Sequence, residues 1–365
     1  MWTLPLVLVI SAGTAVPADA APPRRFVPGV DASGPDHAYG FVRGVNNRGQ
    51  VLVDVRTLWQ NGRYTDLGSL GGDYTRAAAL NDAGEVVGES NRADGDYHAF
   101  LWRRGRMIDL GTLGGTTSTA LAIGVNGHVA GNATLPDGSE HVFLWRNGVM
   151  TDTGLPAARS NAVHVNAHGQ IAFSYPAENF TSKGYFWDRG RATALGSLGG
   201  GAVTVVGLND RGEIAGFGPV ASGEIHGFRW WRGRMTDLGT FGWDDVFTSG
   251  INNRGQITGT AQTTRGQHAF VWEKGVLKDL MANVPQGVVG ESWGINERGD
   301  VVGNSVMPDV GRRGTVWRHG RVILLDTVDR LGSQGSYIND RGLVAGIAID
   351  EFDPPRAAVW DTARY

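Results

Sequence analysis

The chain has no cysteine, which removes disulfide frameworks, thiol nucleophiles and thiolate metal ligands from consideration. It also has no unbroken apolar run of about 18 residues, so no membrane-spanning helix is expected. A dominant charge is missing as well: 33 Lys and Arg stand against 36 Asp and Glu, a formal net charge of -3. Without a basic excess to neutralise phosphates, nucleic acid is not expected as a main partner, and there is no acidic tail. What the chain does have is glycine, 56 of 365 residues, with 41% hydrophobic residues. That is the composition of a folded, turn-rich chain built from short strands. With no covalent cross-links, its stability must come from packing.

The first residues, MWTLPLVLVISAGTAVPADA, place an apolar run ahead of Ala18-Asp19-Ala20, the small-residue pattern of a secretory cleavage site. The departure is an opening segment with no Lys or Arg. Residues 1–20 are therefore expected to be a signal peptide, and residues 21–365 a single secreted or periplasmic domain, expected as a monomer.

Internal repetition organises the rest. An apolar residue, then Asn-x-x-Gly, then a β-branched pair recurs as GVNNRGQVLV, ALNDAGEVVG, HVNAHGQIAF, GLNDRGEIAG, GINNRGQITG, GINERGDVVG and YINDRGLVAG. An eighth copy, AIGVNGHVAG, has Gly124 in place of the Asn. A second motif, Trp-x-x-Gly, carries its Trp at 59, 102, 145, 187, 230, 272, 317 and 360. Both motifs keep a spacing of about 43 residues over nearly the whole chain.

Each motif reads as a hairpin turn. The Asn side chain can bond the backbone two residues on, and the Gly supplies the left-handed conformation that closes the turn. Asn81 with Gly84, Asn209 with Gly212 and Asn252 with Gly255 exemplify the first turn; Trp102 with Gly105, Trp230 and Trp272 exemplify the second. Four short strands, a to d, in about 43 residues is the size of one propeller blade. Small residues before the Asn, such as Ala77 to Ala79 and Gly207, suit an inner strand a, while charged residues after the Trp turn suit an outer strand d.

The expected fold is an all-β propeller of eight four-stranded blades. Its last Trp motif, Trp360-Asp-Thr-Ala363, is followed by no strand d before Tyr365. The segment RRFVPGV, residues 24–30, resembles a strand d with no strand c before it. It is expected to complete the last blade with residues 335–360, so that the two ends of the chain close the ring. An open β-solenoid is the alternative.

The stretches HAFLW, DLGTLGG and INxxGxVVG resemble the extracellular HAF-repeat proteins of bacteria, and the resemblance covers nearly all of residues 38–360. GYFW, GTVW and AAVW depart from it. The resemblance implies export and a repetitive β fold, and it brings no common activity with it.

Candidate chemistry has to be separated from the repeat. His98, His141, His226 and His268 each lie four residues before a Trp, where other units carry Lys183, Arg313 and Arg356. Recurrence at one register points to a structural tie, expected here to a neighbouring blade's backbone. Asp66, Asp109, Asp152, Asp237 and Asp279 recur in strand d and are read the same way. The repeated Trp, alternating with Phe100, Phe143, Phe228 and Phe270, reads as core between blades. DLGTLGG lacks the following helix of a phosphate loop. Gly290-Glu-Ser292-Trp-Gly294 likewise lacks the helix that a hydrolase elbow requires.

Function is therefore sought where units differ, in the loops from b to c and from d to a. Trp243, Asp244 and Asp245, with Trp293 two units on, form the expected ligand site; Trp231 and Phe247 are further off-repeat aromatics. Asp94 with Asp96, or Asp350, Glu351 and Asp353, leave Ca²⁺ open, and no other cofactor is expected. The leading expectation is an exported protein that binds a glycan or a cell-surface partner on this face. The alternatives are a propeller hydrolase or lyase working at the channel mouth, and a surface repeat protein with no specific ligand.

Overall fold

The computed structural model describes residues 26–33, 40–157, 163–176, 182–242, 245–351 and 353–365. Among them the regular elements are strands, grouped into eight sheets. Blade two shows the unit: β7 (Gly71–Leu80), β8 (Val86–Arg92), β9 (Tyr97–Arg103) and β10 (Arg106–Asp109) pair in order as an antiparallel meander. The inner strands of the other blades are β3 (Val42–Val45), β11 (Ser118–Ile123), β15 (Val163–Val165), β19 (Thr204–Leu208), β23 (Val246–Ile251), β27 (Val289–Ile295) and β31 (Gly332–Ile338). Each touches the next around the circle, and β31 touches β3 again. The chain is a closed eight-bladed β-propeller.

The apolar core lies between blades. Val87, Leu101 and Leu110 of blade two pack on Ala120, Phe143 and Trp145 of blade three, and equivalent clusters fill the other gaps. Phe100, Phe143, Phe228 and Phe270 are fully buried. The small residues of strand a are a steric requirement. A Cβ on Gly207 would meet Ile251 of the next blade at 2.8 Å, because neighbouring inner strands converge on the axis.

Both turns follow their sequence chemistry. In the first, Asn81 Oδ1 accepts the N–H groups of Ala83 and Glu85, each at 3.0 Å. The amide nitrogen then does something the spacing does not reveal: it donates to the carbonyl of the same turn in the next blade. Asn46 reaches Asn81, Asn209 reaches Asn252, Asn252 reaches Asn296 and Asn296 reaches Asn339, at 2.9 to 3.0 Å. Asn339 closes the circle on the carbonyl of Asn46 at 2.8 Å. At the degenerate unit, Gly124 still accepts from Asn81 but has no amide to donate. A Cβ there would meet the carbonyl oxygen of Asn166 at 2.9 Å.

The second turn is a two-residue loop with both central residues left-handed, as at Arg104 and Gly105 with φ of 51° and 77°. This is the twist that matches a right-handed hairpin.

Closure differs in register from the sequence expectation. Of residues 24–30, Arg24 and Arg25 lie outside the described residues. Phe26–Val27 forms β1, which runs parallel to β30 (Arg321–Leu325) on the outside of blade seven. The strand that completes blade eight is β2 (Gly29–Asp31), antiparallel to β33 (Arg356–Asp361), with Asp31 opposite Ala358 and Gly29 opposite Trp360. Pro28, which has no N–H to donate, separates the two short strands. Asp31 thereby takes the place that Asp109 takes opposite Phe100 in blade two, a register that no residue of 24–30 supplies.

Candidate functional site at the channel mouth

Strand a is narrow enough to close on the axis only if its side chains are small, so large residues on its inner face call for a different explanation. Each inner strand with a described lead-in slips by one residue at the third position before its turn. Such a bulge turns the extra residue out of the ladder. The residues so placed include Arg43, Ala78, Leu121 and Trp293. Two positions earlier stand Phe41, Arg76, Thr119, Phe247 and Glu291. Arg43, Ala78, Leu121, Phe41, Arg76 and Thr119 line a cavity of about 550 Å³ along the axis, joined by Glu89, His164 and Tyr337. By register, Trp293 and Phe247 face the same channel from blades seven and six.

These side chains do not follow the repeat, and the aromatic ones are open to solvent: Phe41 is 51% exposed, Trp293 46% and Phe247 42%. Two of them are held in place by side-chain contacts. Trp293 Nε1 donates to Asn304 Oδ1 at 2.6 Å. Phe247 packs edge-on against Phe217, and Tyr74 against Tyr97, with centroids 5.2 and 5.5 Å apart. Glu89 accepts a 2.7 Å bond from Thr119 of the next blade and lies 3.5 Å from Arg76. Arg43 donates its Nε to the carbonyl of Asp54 at 2.8 Å. That leaves the terminal nitrogens of its guanidinium free of any carboxylate partner among the described residues.

Electrostatics sharpen the picture. Burial within the ring pushes His164 down to about 4, against the opposing pull of a bond to the Val205 backbone. At neutral pH its imidazole is uncharged, a hydrogen-bonding group and not a cation. Burial also raises the Tyr337 hydroxyl above its ordinary value, with Arg43 acting the other way. Cationic character at this end of the cavity therefore rests on Arg43 and Arg76. At the far end, Asn47, Asp210, Asn253, Glu297 and Asp340 bond one another's backbones around the axis. Those carboxylates serve the ring.

The site residues named from sequence fare unevenly. Trp243 and Asp244 lie outside the described residues. Asp245 is a structural acceptor, taking the N–H of Ile225 at 2.8 Å, while its own carbonyl receives Gln262. Trp293 sits at the bulge of inner strand β27 and not on a loop. The His donors do not tie to a neighbouring blade's backbone. Each bonds the strand-d Asp of its own blade: His98 to Asp109, His141 to Asp152, His226 to Asp237 and His268 to Asp279, at 2.8 to 3.0 Å. The physical reason is proximity, since strands c and d of one blade are hydrogen-bonded neighbours. The same Asp then caps the N–H two residues on, as Asp109 does for Gly111, which explains the recurring Asp-Leu-Gly connector. Ser292 lies within β27, bonded to Ser249 at 3.0 Å and not to an imidazole. Asp350 and Asp353 converge on Arg330 at 3.1 and 2.9 Å, so a guanidinium supplies the cation there. Asp94 faces Arg92 at 3.1 Å.

Sequence reasoning missed Phe41, Arg43, Arg76, Glu89, His164 and Tyr337. The signal was present for His164 and Tyr337, which stand where the other six units hold Gly or Ala, whereas Phe41, Arg43, Arg76 and Glu89 occupy positions that vary from unit to unit.

No family model matches the chain, and no curated protein matches it. Among solved structures it is similar to the β-propeller domain of the Trilobed protease from Pyrococcus furiosus, with a TM-score of 0.51 at 9% identity over 89% of this chain and 94% of that one. It is also similar to a chain from a structural study of two prolyl endopeptidases, with a TM-score of 0.50 at 11% identity over 79% of this chain and 50% of that one. These likenesses show the propeller fold. The Pyrococcus domain is described as having an open velcro topology, whereas here β2 completes the last blade.

Proposed function

We propose that this is an exported glycan-binding propeller that receives its ligand at the channel mouth, on the face carrying the variable b-to-c and d-to-a loops. One observation carries the reading. Unit-specific aromatic side chains of the inner strands, open to solvent, accompany an axial cavity lined by Phe41 and Tyr337 that also offers Arg43, Arg76, Glu89 and Thr119. Flat apolar rings beside fixed donors and acceptors suit a sugar, which presents apolar ring faces and a rim of hydroxyls. Arg43, with no carboxylate on its outer nitrogens among the described residues, suits an acidic substituent on that sugar. A cell-surface protein would instead favour a projecting surface, and these groups are recessed.

The test is an array of neutral and uronate-containing glycans probed with residues 21–365, followed by titration of any hit against Trp293→Ala and Phe41→Ala. Binding that falls about tenfold in each variant, with unchanged thermal unfolding, supports the reading. Glycan binding indifferent to both substitutions would remove the channel as the site, and a cleaved glycan would favour the hydrolase or lyase alternative.

A further inference from the structure

The charges of this chain, nearly balanced in sum, are separated in space. In the antiparallel blades the a-to-b and c-to-d turns share one end of the propeller, opposite the ligand mouth. We infer that the rim formed by the c-to-d turns is a docking surface for the anionic headgroups of a lipid bilayer.

The residue choice at these turns is the first support. Both central positions are left-handed, where Asn followed by Gly is the least strained pair. Asn61 and Asn147 follow that preference, with φ of 50° and 52°. Arg104, Arg189, Arg232, Lys274 and His319 occupy the same position at 48° to 52°. Five turns thus place a basic side chain where the backbone favours another residue. All five are exposed, and Arg104, Arg232 and Lys274 have no carboxylate partner among the described residues. The residue after the Gly often extends the pattern, as Arg106 and Arg234 do. At the mouth end the strands finish instead on Asp, as at Asp109 and Asp237. The molecule is therefore an electrical dipole along its axis.

Shape is the second support. In blade after blade the Trp pairs with the second residue of strand d, as Trp102 with Met107, Trp230 with Met235 and Trp317 with Val322. The turns consequently end at one level and form a flat annulus. Among the cations stand exposed apolar groups, Val149, Val276 and Trp231; the indole of Trp231 lies beneath Arg229 and Arg232, 5.1 and 4.5 Å from the ring centroid. A planar anionic surface meets such an annulus everywhere at once, and an interfacial Trp suits it. A linear polyanion would follow only an arc and leave the apolar tips unused. Docking in this sense would point the ligand mouth away from the membrane.

The test is co-sedimentation of residues 21–365 with vesicles of mixed phosphatidylglycerol and phosphatidylcholine, against vesicles of phosphatidylcholine alone. The inference expects binding to the first only, weakened by salt. The triple variant Arg104→Asn, Arg232→Asn, Lys274→Asn should bind about a hundredfold more weakly, from roughly fivefold per charge at a membrane surface. Its melting temperature should hold or rise, since Asn suits these turns, so loss of folding does not confound the result. Arg312→Gln, on the opposite face, should leave binding unchanged. Equal binding to both kinds of vesicle, binding to neither, or an undiminished triple variant would overturn the inference. So would capture by a soluble acidic polysaccharide that is lost in the triple variant, without vesicle binding, which would reassign the rim to linear polyanions.

Discussion

Arg356 and Asp31 stand 325 positions apart in the chain, and Nη1 of the first lies 3.5 Å from Oδ2 of the second. The pair reproduces in blade eight the tie that His98 and Asp109 make within blade two, and that Arg56 and Asp66 make in blade one at 3.3 Å. Asp31 also caps the N–H of Ser33 at 2.8 Å, as Asp109 caps Gly111. β2 has thus acquired the pairing, the side-chain tie and the cap of an ordinary strand d.

The closing strand can be dislodged by one added side chain. A Cβ on Gly29 would run into the Trp360 indole and Val328, so Gly29→Val is expected to destabilise by about 1–3 kcal/mol. Urea unfolding measures this. Deleting residues 26–31 should go further, uncovering Trp360 and an unpaired edge. Size-exclusion chromatography should then show concentration-dependent association.

The amide circle is expected to contribute to stability beyond the turns it closes, because each Asn also bonds the next blade. Asn209 is buried, accepts from Arg211 and Glu213, and donates to Glu213 and to the Asn252 carbonyl. Asn209→Ala leaves several buried groups without partners, an expected cost of about 2–4 kcal/mol. Asn253→Ala, at an exposed position of the next blade's turn, should cost under about 1 kcal/mol by the same chemical denaturation assay.

Trp102 fills the gap between blades one and two against Leu52, Leu58 and Val86. Trp102→Ala is expected to cost about 3–5 kcal/mol. A thermal melt unchanged from the parent would contradict the core assignment.

Stability should fall in mild acid because of His164. Its folded-state pKa, about 4, lies below the ordinary 6.5, so the unfolded chain takes up a proton first. The contribution is complete above pH 6.5, declines as pH falls from 6.5 to 4, and is gone below that. It amounts to up to about 3 kcal/mol. His164→Gln should flatten this window in a pH series of unfolding curves. It should leave the lower acid limb, where Glu213 and Asp300 act. Burial alone would raise both carboxyls, but bonds from Arg229 and Arg211 to the one, and from Arg318 and Arg298 to the other, hold them low.

Much of the fold was legible because the repeat writes the same local rule eight times. Turn, Trp and small inner residue each follow from the geometry of one unit. Contacts between units were harder to read, since the nitrogen of Asn81 reaches a carbonyl 43 residues away and no spacing within a blade announces it. The register of β2 was missed for a similar reason: resemblance aligned RRFVPGV, whereas the tie to Arg356 required Asp31. The candidate site was hidden by a sound rule applied one step short. Departures from the repeat were sought in loops, yet Arg43, Arg76 and Trp293 depart from it within strand a, where a bulge gives them room.

Because β2 belongs to a blade whose other strands come some 300 residues later, the boundaries of the chain and the boundaries of the blades are out of phase. A gene duplication or loss of one 43-residue unit between β3 and β31 would change the ring by one whole blade and still leave the closing strand its partner. The same event at either terminus would split a blade. The lineage of such a ring is expected to lengthen and shorten from its interior, with its two ends inherited together.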